Sequence, residues 1–201
     1  MQPTRTLPPE YRPVWTFDLK NNLRAVLWLN LAGLVILALA GAGFALALYA
    51  LRPAQATTGL AVSIDGAGGI IQAALAFLAL YAATIVIHEA FHGICFWIFT
   101  RQRPVFALSW AYAYAAAPEW YLPRDQYLVT AAAPLVGISL LALLAFAVAP
   151  PAFFLPALVV ATTNAAGAVG DIWVVIWLLR QPQACYAQDR GDAVTLYRAI
   201  W

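Results

Sequence analysis

Two histidines and one glutamate lie within five positions of an otherwise apolar stretch, residues 85–97, which reads IVIHEAFHGICFW. They are His88, Glu89 and His92, and the chain has two histidines in total. On a helix, the pattern His-Glu-x-x-His places both imidazoles on one face, one turn apart, where both can bind the same zinc ion. The intervening glutamate can then act as general base on the zinc-bound water, whose pKa falls to about 7. The spacing therefore predicts Zn²⁺ bound by His88 and His92, with Glu89 as the catalytic base.

The alternative interpretation is a pair of core histidines whose nitrogens are satisfied by hydrogen bonds. An ionisable side chain near the centre of a bilayer is unfavourable by about 2.5–3.5 kcal/mol on insertion scales, so such residues tend to have a function. Here three of them stand together in a run that reads as membrane-spanning. This clustering favours the metal site over the structural pair.

A catalytic zinc ion usually has three protein ligands and one water, so a third side chain is needed. Asp171, within NAAGAVGDIWVV, is the first candidate. It precedes the next arginine by nine residues, and His92 precedes the next arginine by the same distance. If both segments are helices that run in the same direction, the two side chains lie about 13–14 Å below the same face.

Several side chains near this site have roles that the sequence leaves open. Cys95, on the His92 face of the same helix, and the loop residue Glu119 are weaker candidates for the third ligand. An ion pair or a helix-end hydrogen bond is the alternative role for Asp171. Asn164 precedes Asp171 by seven residues, which would place both on one face of a continuous helix. Its amide could donate to the substrate carbonyl or to the developing oxyanion, or it could form a hydrogen bond between helices.

The elements that must hold these side chains are membrane helices. Hydrophobic residues make up 64% of the 201-residue chain and charged residues 10%, whereas soluble domains have about 45–50% and about 25%. A bilayer core of about 30 Å needs about 20 apolar residues of helix. The runs that qualify are 25–50, 69–100, 126–149 and 152–179. We therefore expect an all-α membrane protein with about four transmembrane helices in one domain, residues 25–179, between an N-terminal segment, 1–24, and a tail, 180–201.

The basic residues predict how these spans are oriented, because Lys and Arg favour the cytoplasmic flanks of membrane helices. The N-terminal segment has four, the loop 101–125 three and the tail three, against one, Arg52, on the opposite side. Both termini are therefore expected in the cytoplasm, and the chain in the cell (inner) membrane as a multi-pass protein in contact with membrane lipids. No basic run interleaved with aromatic residues suggests nucleic-acid binding.

Three further features concern the segments around and within the spans. Residues 106–115, FALSWAYAYA, alternate large and small side chains, which predicts a strand. That strand could bind an extended substrate by β-addition, or form a belt of Trp and Tyr at the headgroups.

The tail around 189–192 predicts a small cytoplasmic hairpin. Pro134 interrupts the third span, where it could kink the helix or open room for water or substrate.

Four stretches of the sequence carry a resemblance to a known family. The resemblance covers roughly residues 65–200. The stretches read HEAFHG (88–93), APEWYLPRDQYLVTAAAP (117–134), NAAGAVGD (164–171) and DRGDAVTLYR (189–198). With them the chain resembles the putative zincin peptidases, small multi-spanning bacterial membrane proteins classed as a domain of unknown function. More distantly it looks like the site-two proteases, which cleave within the membrane and pair HExxH with an Asp ligand on a later helix. The resemblance implies that His88, His92 and Asp171 bind zinc and that Glu89 is the base.

The function predicted from these features is a zinc-dependent membrane endopeptidase of the HExxH type. It would hydrolyse peptide bonds of a peptide or membrane-protein substrate, in or next to the membrane. The first alternative is a non-catalytic metal-binding membrane scaffold or chaperone, which predicts a closed coordination shell with a fourth protein ligand such as Cys95. The second is a small transporter whose polar residues line an ion path.

Overall fold

A computed structural model describes residues 1–18, 22–108, 113–191 and 193–200. The chain is mostly helical, and short strands flank the helices. In chain order the elements are β1 (Tyr11–Asp18), α1 (Leu23–Leu51), α2 (Pro53–Gly59), α3 (Gly66–Thr100), β2 (Val105–Leu108), β3 (Ala113–Ala116), β4 (Tyr121–Pro123), α4 (Arg124–Val148), α5 (Phe154–Gly167), α6 (Val169–Leu179), β5 (Cys185–Asp189) and β6 (Ala193–Ala199).

Three of the described helices, α1, α3 and α4, are long and apolar enough to cross a membrane. A fourth span exists if α5, α6 and the single 3₁₀ turn before α5 count together, although α5 and α6 meet at an angle of 52°. The predicted run 152–179 therefore contains two helices that meet at a break, rather than one continuous helix. The break lies at Ala168, directly after Gly167 and two residues before Gly170, and glycine is a poor helix former.

The predicted all-α class omits a four-stranded antiparallel sheet with the strand order β1-β6-β5-β4. The predicted tail hairpin is confirmed as β5 and β6, and β1 and β4 extend it on its two sides. Leu122, Ala187 and Leu196 pair with one another across β4, β5 and β6, and all three are fully buried. This row of side chains packs on the ends of three helices, through Phe96 of α3, Tyr127 of α4, and Val174 and Leu178 of α6.

The alternating segment 106–115 contains two strands rather than the predicted one. β2 and β3 pair antiparallel, with Val105 opposite Ala116 and Leu108 opposite Ala113. Residues 109–112, which join them along the chain, lie outside the described residues. The alternation of large and small side chains continues through both strands. It therefore does not show where one strand ends and the next begins.

The chain divides into two compact units. The first contains residues 1–30, 89–134 and 170–201, with the four-stranded sheet, the β2–β3 hairpin and most of α6. The second contains residues 31–88 and 135–169. Its core is formed by Leu48, Ala56, Phe146 and Phe154, which are fully buried.

Candidate metal centre

The first histidine of α3 is oriented by a buried amide. His88 Nδ1 lies 2.9 Å from Asn164 Oδ1 on α5, and Asn164 is 2% exposed. An amide oxygen can only accept, so Nδ1 carries the proton and Nε2 is the nitrogen with a lone pair for a metal. Histidine ligands of metal sites are held in this way by a partner on the second nitrogen. Asn164 thus lies against a candidate ligand, and its predicted oxyanion role stays a prediction.

The second histidine, one turn further along α3, is oriented by a backbone group. His92 Nδ1 lies 2.9 Å from the carbonyl oxygen of Thr130 on α4. Because a carbonyl oxygen can only accept, His92 Nδ1–H donates to it. Nε2 of the same ring lies 3.5 Å from Asp171 Oδ2. Both imidazoles therefore use Nδ1 for orientation, which leaves Nε2 of each ring available to a metal.

The break in the fourth span determines the position of Asp171. Because α6 begins at Val169, Asp171 stands in the first turn of that helix. Acidic side chains are favourable at this position, because the N-terminus of a helix carries a partial positive charge. The break also separates Asp171 from Asn164, so the two do not share one face of a continuous helix as their spacing predicted.

The three predicted ligands form a group that could hold a metal ion. One ligand atom from each of His88, His92 and Asp171 lies within 4.8 Å of the others, and all three residues are half-buried. Two imidazoles and a carboxylate suit Zn²⁺, and three ligands leave a coordination position for water or substrate. Among the described residues, this group includes neither of the rival ligands, Cys95 and Glu119. Glu119 is exposed, and its Oε2 lies 3.6 Å from the guanidinium Nη2 of Arg5.

Glu89 contacts the β2–β3 hairpin. The backbone N–H of Ala115 donates to Glu89 Oε2 at 2.7 Å. Two glycines allow the hairpin to approach this closely, because each lies against an aromatic ring. A Cβ at Gly93, next to His92 on α3, would lie 2.3 Å from the ring of Phe106. A Cβ at Gly191, in the turn between β5 and β6, would lie 2.3 Å from the ring of Tyr114.

A partly buried hydrogen bond connects the same turn of the tail to α4. The hydroxyl of Tyr127 donates to Asp189 Oδ2 at 2.6 Å, and the N–H of Gly191 donates to Asp189 Oδ1 at 2.7 Å. Burial raises the pKa of the Asp189 carboxyl, and these two hydrogen bonds oppose the rise. Tyr127 also packs on Phe96, one helical turn beyond His92.

Sequence reasoning did not find Thr130, Ala115, Tyr127 or Asp189. Thr130 and Ala115 contribute backbone groups, which leave no mark in the side-chain pattern. Tyr127 and Asp189 are polar residues in segments with many tyrosines and charges, and their pairing spans sixty-two residues. The one local signal was Pro134, four residues after Thr130.

The family model described as "Putative zincin peptidase" matches residues 81–186, just over half of the chain. The chain belongs to this family. The predicted resemblance is thus confirmed, and comparison with curated proteins and with solved structures gives no match.

The part of the chain that matches the zincin peptidase family includes His88, Glu89, His92 and Asp171, and it ends before Asp189. Membership favours a metal-dependent hydrolase with zinc as its metal. The helices of this zincin family member are compatible with a membrane protein.

Proposed function

We propose that the chain is a zinc-dependent endopeptidase that hydrolyses peptide bonds in or next to the membrane. The observation that carries the proposal is the group formed by His88, His92 and Asp171, with ligand atoms within 4.8 Å of one another. Glu89 follows His88 directly on the same helix, as a base must when it serves a metal held by that helix. Family membership supports the same reaction class.

His88 and His92 would hold zinc through Nε2, and Asp171 through a carboxylate oxygen. When bound, zinc supplies a Lewis acid that polarises the scissile carbonyl and lowers the pKa of a water molecule. The fit of the chain to zinc rests on its donor set and on the Nδ1 partners of both rings. These partners fix each ring before a metal arrives.

Glu89 would take the proton from the attacking water and later give it to the leaving nitrogen. The Ala115 N–H at 2.7 Å holds Oε2 and so restricts how the carboxylate can turn. A base that is fixed in orientation does not have to be ordered during the reaction. Ala115 would thus act on the proton transfer through Glu89, without touching the substrate carbonyl.

The contact of Ala115 with Glu89 also supports substrate binding along β3. Successive N–H groups of a strand point to opposite sides, so the N–H of Ala113 lies on the same edge of β3 as that of Ala115, the edge that does not pair with β2. Because Glu89 accepts from Ala115, a peptide added here would pair with Ala113. An extended peptide added to this edge would pass Glu89. Hydrolysis requires an extended substrate, because a helix hides its carbonyl groups.

The orientation in the membrane is also part of the proposal: both termini lie in the cytoplasm, and the chain is an inner-membrane protein. Ten of the eleven Lys and Arg residues lie in the N-terminal segment, the loop 101–125 and the tail. The four-stranded sheet takes its strands from these same three segments.

The experiment that tests the reaction compares Glu89→Gln with the wild type on a library of quenched fluorescent peptides in detergent micelles. Glu89→Gln should keep its zinc, because Glu89 is not a ligand, and should lose about 100-fold or more of its hydrolysis rate. The control is Glu119→Gln, which changes an exposed carboxylate and should leave the zinc content and the hydrolysis rate unchanged. Full hydrolysis by Glu89→Gln would disprove the mechanism.

Metal analysis of the purified protein tests the ligands and the scaffold alternative. His88→Ala, His92→Ala and Asp171→Ala should each lower zinc occupancy. Cys95→Ser should not, since Cys95 lies outside the group of described residues that could hold a metal. Full occupancy in Asp171→Ala would disprove the third ligand, and loss of zinc in Cys95→Ser would favour the closed shell of a non-catalytic scaffold.

A further inference from the structure

Pro134 changes the hydrogen bonding of α4 at the residue that holds His92. The helix runs from Arg124 to Val148 through Pro134, which is buried. Each carbonyl inside a helix normally accepts from the N–H four residues later, and proline has no N–H. The carbonyl of Thr130 therefore has no donor from residue 134.

That carbonyl is the one that accepts from His92 Nδ1, at 2.9 Å. Thr130 is 1% exposed, so water has little access to it, and a buried carbonyl without a donor is unfavourable. The side chain of Thr130 is used elsewhere, since its hydroxyl donates to the carbonyl of Gln126. The imidazole N–H thus takes the place of the helical donor that Pro134 lacks.

We propose that Pro134 is a positioning residue for the metal centre. By withholding an N–H, it reserves the Thr130 carbonyl for His92, which keeps the proton on Nδ1 and leaves Nε2 turned towards Asp171. The inference rests on the proposed zinc site, and it assigns to Pro134 a role that a kink alone would not have. An N–H at position 134 would compete with His92 for the same acceptor.

The decisive experiment varies the N–H and the side chain at position 134 separately. Pro134→Ala restores an N–H and shortens the side chain. Pro134→lactic acid, introduced by nonsense suppression, gives the same methyl side chain with an ester in place of the N–H. Zn²⁺ affinity is measured by competition with a chromophoric chelator, with no peptide substrate present.

We expect Pro134→Ala to bind Zn²⁺ about 10-fold more weakly than the wild type, as when other partners of histidine ligands are lost. The Zn²⁺ affinity of Pro134→lactic acid should stay within about 3-fold of the wild-type value, because this variant, like proline, has no N–H at position 134. Equal weakening of both variants would assign the effect to lost side-chain volume and overturn the proposal. Wild-type affinity in Pro134→Ala would overturn it as well.

A measurement on the unaltered protein covers the case in which neither variant folds. With two histidines in the chain, ¹⁵N-histidine spectra are simple to assign, using His88→Ala to identify His92. The spectra should show a proton on Nδ1 of His92, both as purified and with added Zn²⁺. A His92 ring protonated on Nε2 alone would overturn the inference.

The outcomes separate this inference from the proposed function. If His92→Ala keeps full Zn²⁺ affinity, the zinc site itself is wrong. If His92→Ala loses zinc and Pro134→Ala does not, the zinc site stands and the role of Pro134 is wrong.

Discussion

The chemistry of the two histidines depends on what their Nδ1 atoms contact. His88 uses the side chain of Asn164 and His92 uses the backbone of Thr130, so the two rings reach the same orientation by different means. The predicted ligands were identifiable from the sequence because imidazoles at a spacing of four have few structural uses in an apolar helix. The carbonyl of Thr130 could not be found in this way, because backbone groups leave no mark in the sequence. Asn164 was predicted as a possible hydrogen-bond partner between helices, but its pairing with His88, seventy-six residues away, was not.

Replacing the acceptor for His88 should weaken metal binding without removing a ligand. Asn164→Leu keeps a side chain of similar size and deprives Nδ1 of its acceptor, so we expect Zn²⁺ affinity to fall about 10- to 100-fold. Thr163→Val is the matched control, because the hydroxyl of Thr163 bonds within α5. Chelator competition measures both variants. Unchanged affinity in Asn164→Leu would show that Asn164 does not orient a zinc ligand.

At the scale of elements, the β2–β3 hairpin is held at the candidate site by close contacts with two glycines. Phe106 of β2 packs on Gly93 and Tyr114 of β3 packs on Gly191, while Ala115 donates to Glu89. Gly191 has φ of +91°, a backbone conformation that side chains other than glycine rarely adopt. The turn of the tail therefore holds the strand that contacts the predicted base.

Gly191→Ala should displace β3 through this contact. The added Cβ would lie 2.3 Å from the Tyr114 ring, and the φ value is itself unfavourable by about 1–2 kcal/mol for alanine. We expect the amide of Ala115 to exchange with solvent at least about 10-fold faster. Gly43→Ala, where a Cβ would meet nothing within 4 Å, is the control. Unchanged exchange at Ala115 would mean that the tail turn does not hold the strand.

The elements were predictable from the sequence to different degrees, for physical reasons. The first three spans follow from apolar length alone, and each predicted run lies within about three residues of its helix at both ends. The break at 167–170 did not follow, because the run stays apolar across it and single glycines occur inside helices. β1 was missed because its partner, β6, lies more than 170 residues away along the chain.

At the scale of the whole molecule, the four-stranded sheet restricts how the chain can cross a membrane. β1 precedes the first span, β4 follows α3, and β5 and β6 follow the last helix, yet all four strands pair in one sheet. Segments that pair must lie on the same side of the bilayer. The number of crossings before each of them is therefore even. This favours counting α5 and α6 as one bent span, which makes four candidate spans among the described residues.

This parity yields a labelling prediction that the charge distribution makes specific. In bacterial cells, single cysteines are introduced by Gln2→Cys, Asp65→Cys and Ile200→Cys at exposed positions, with the parent chain as background for Cys95 and Cys185. A membrane-impermeant maleimide should label Asp65→Cys from outside the inner membrane. It should reach Gln2→Cys and Ile200→Cys only after that membrane is permeabilised, because the distribution of Lys and Arg predicts that the basic segments lie in the cytoplasm. If Gln2→Cys and Ile200→Cys differ from each other, the pairing of β1 with β6 is wrong. If both are labelled from outside, the sheet stands and the orientation is reversed, which would place the basic segments on the side that the distribution of Lys and Arg disfavours.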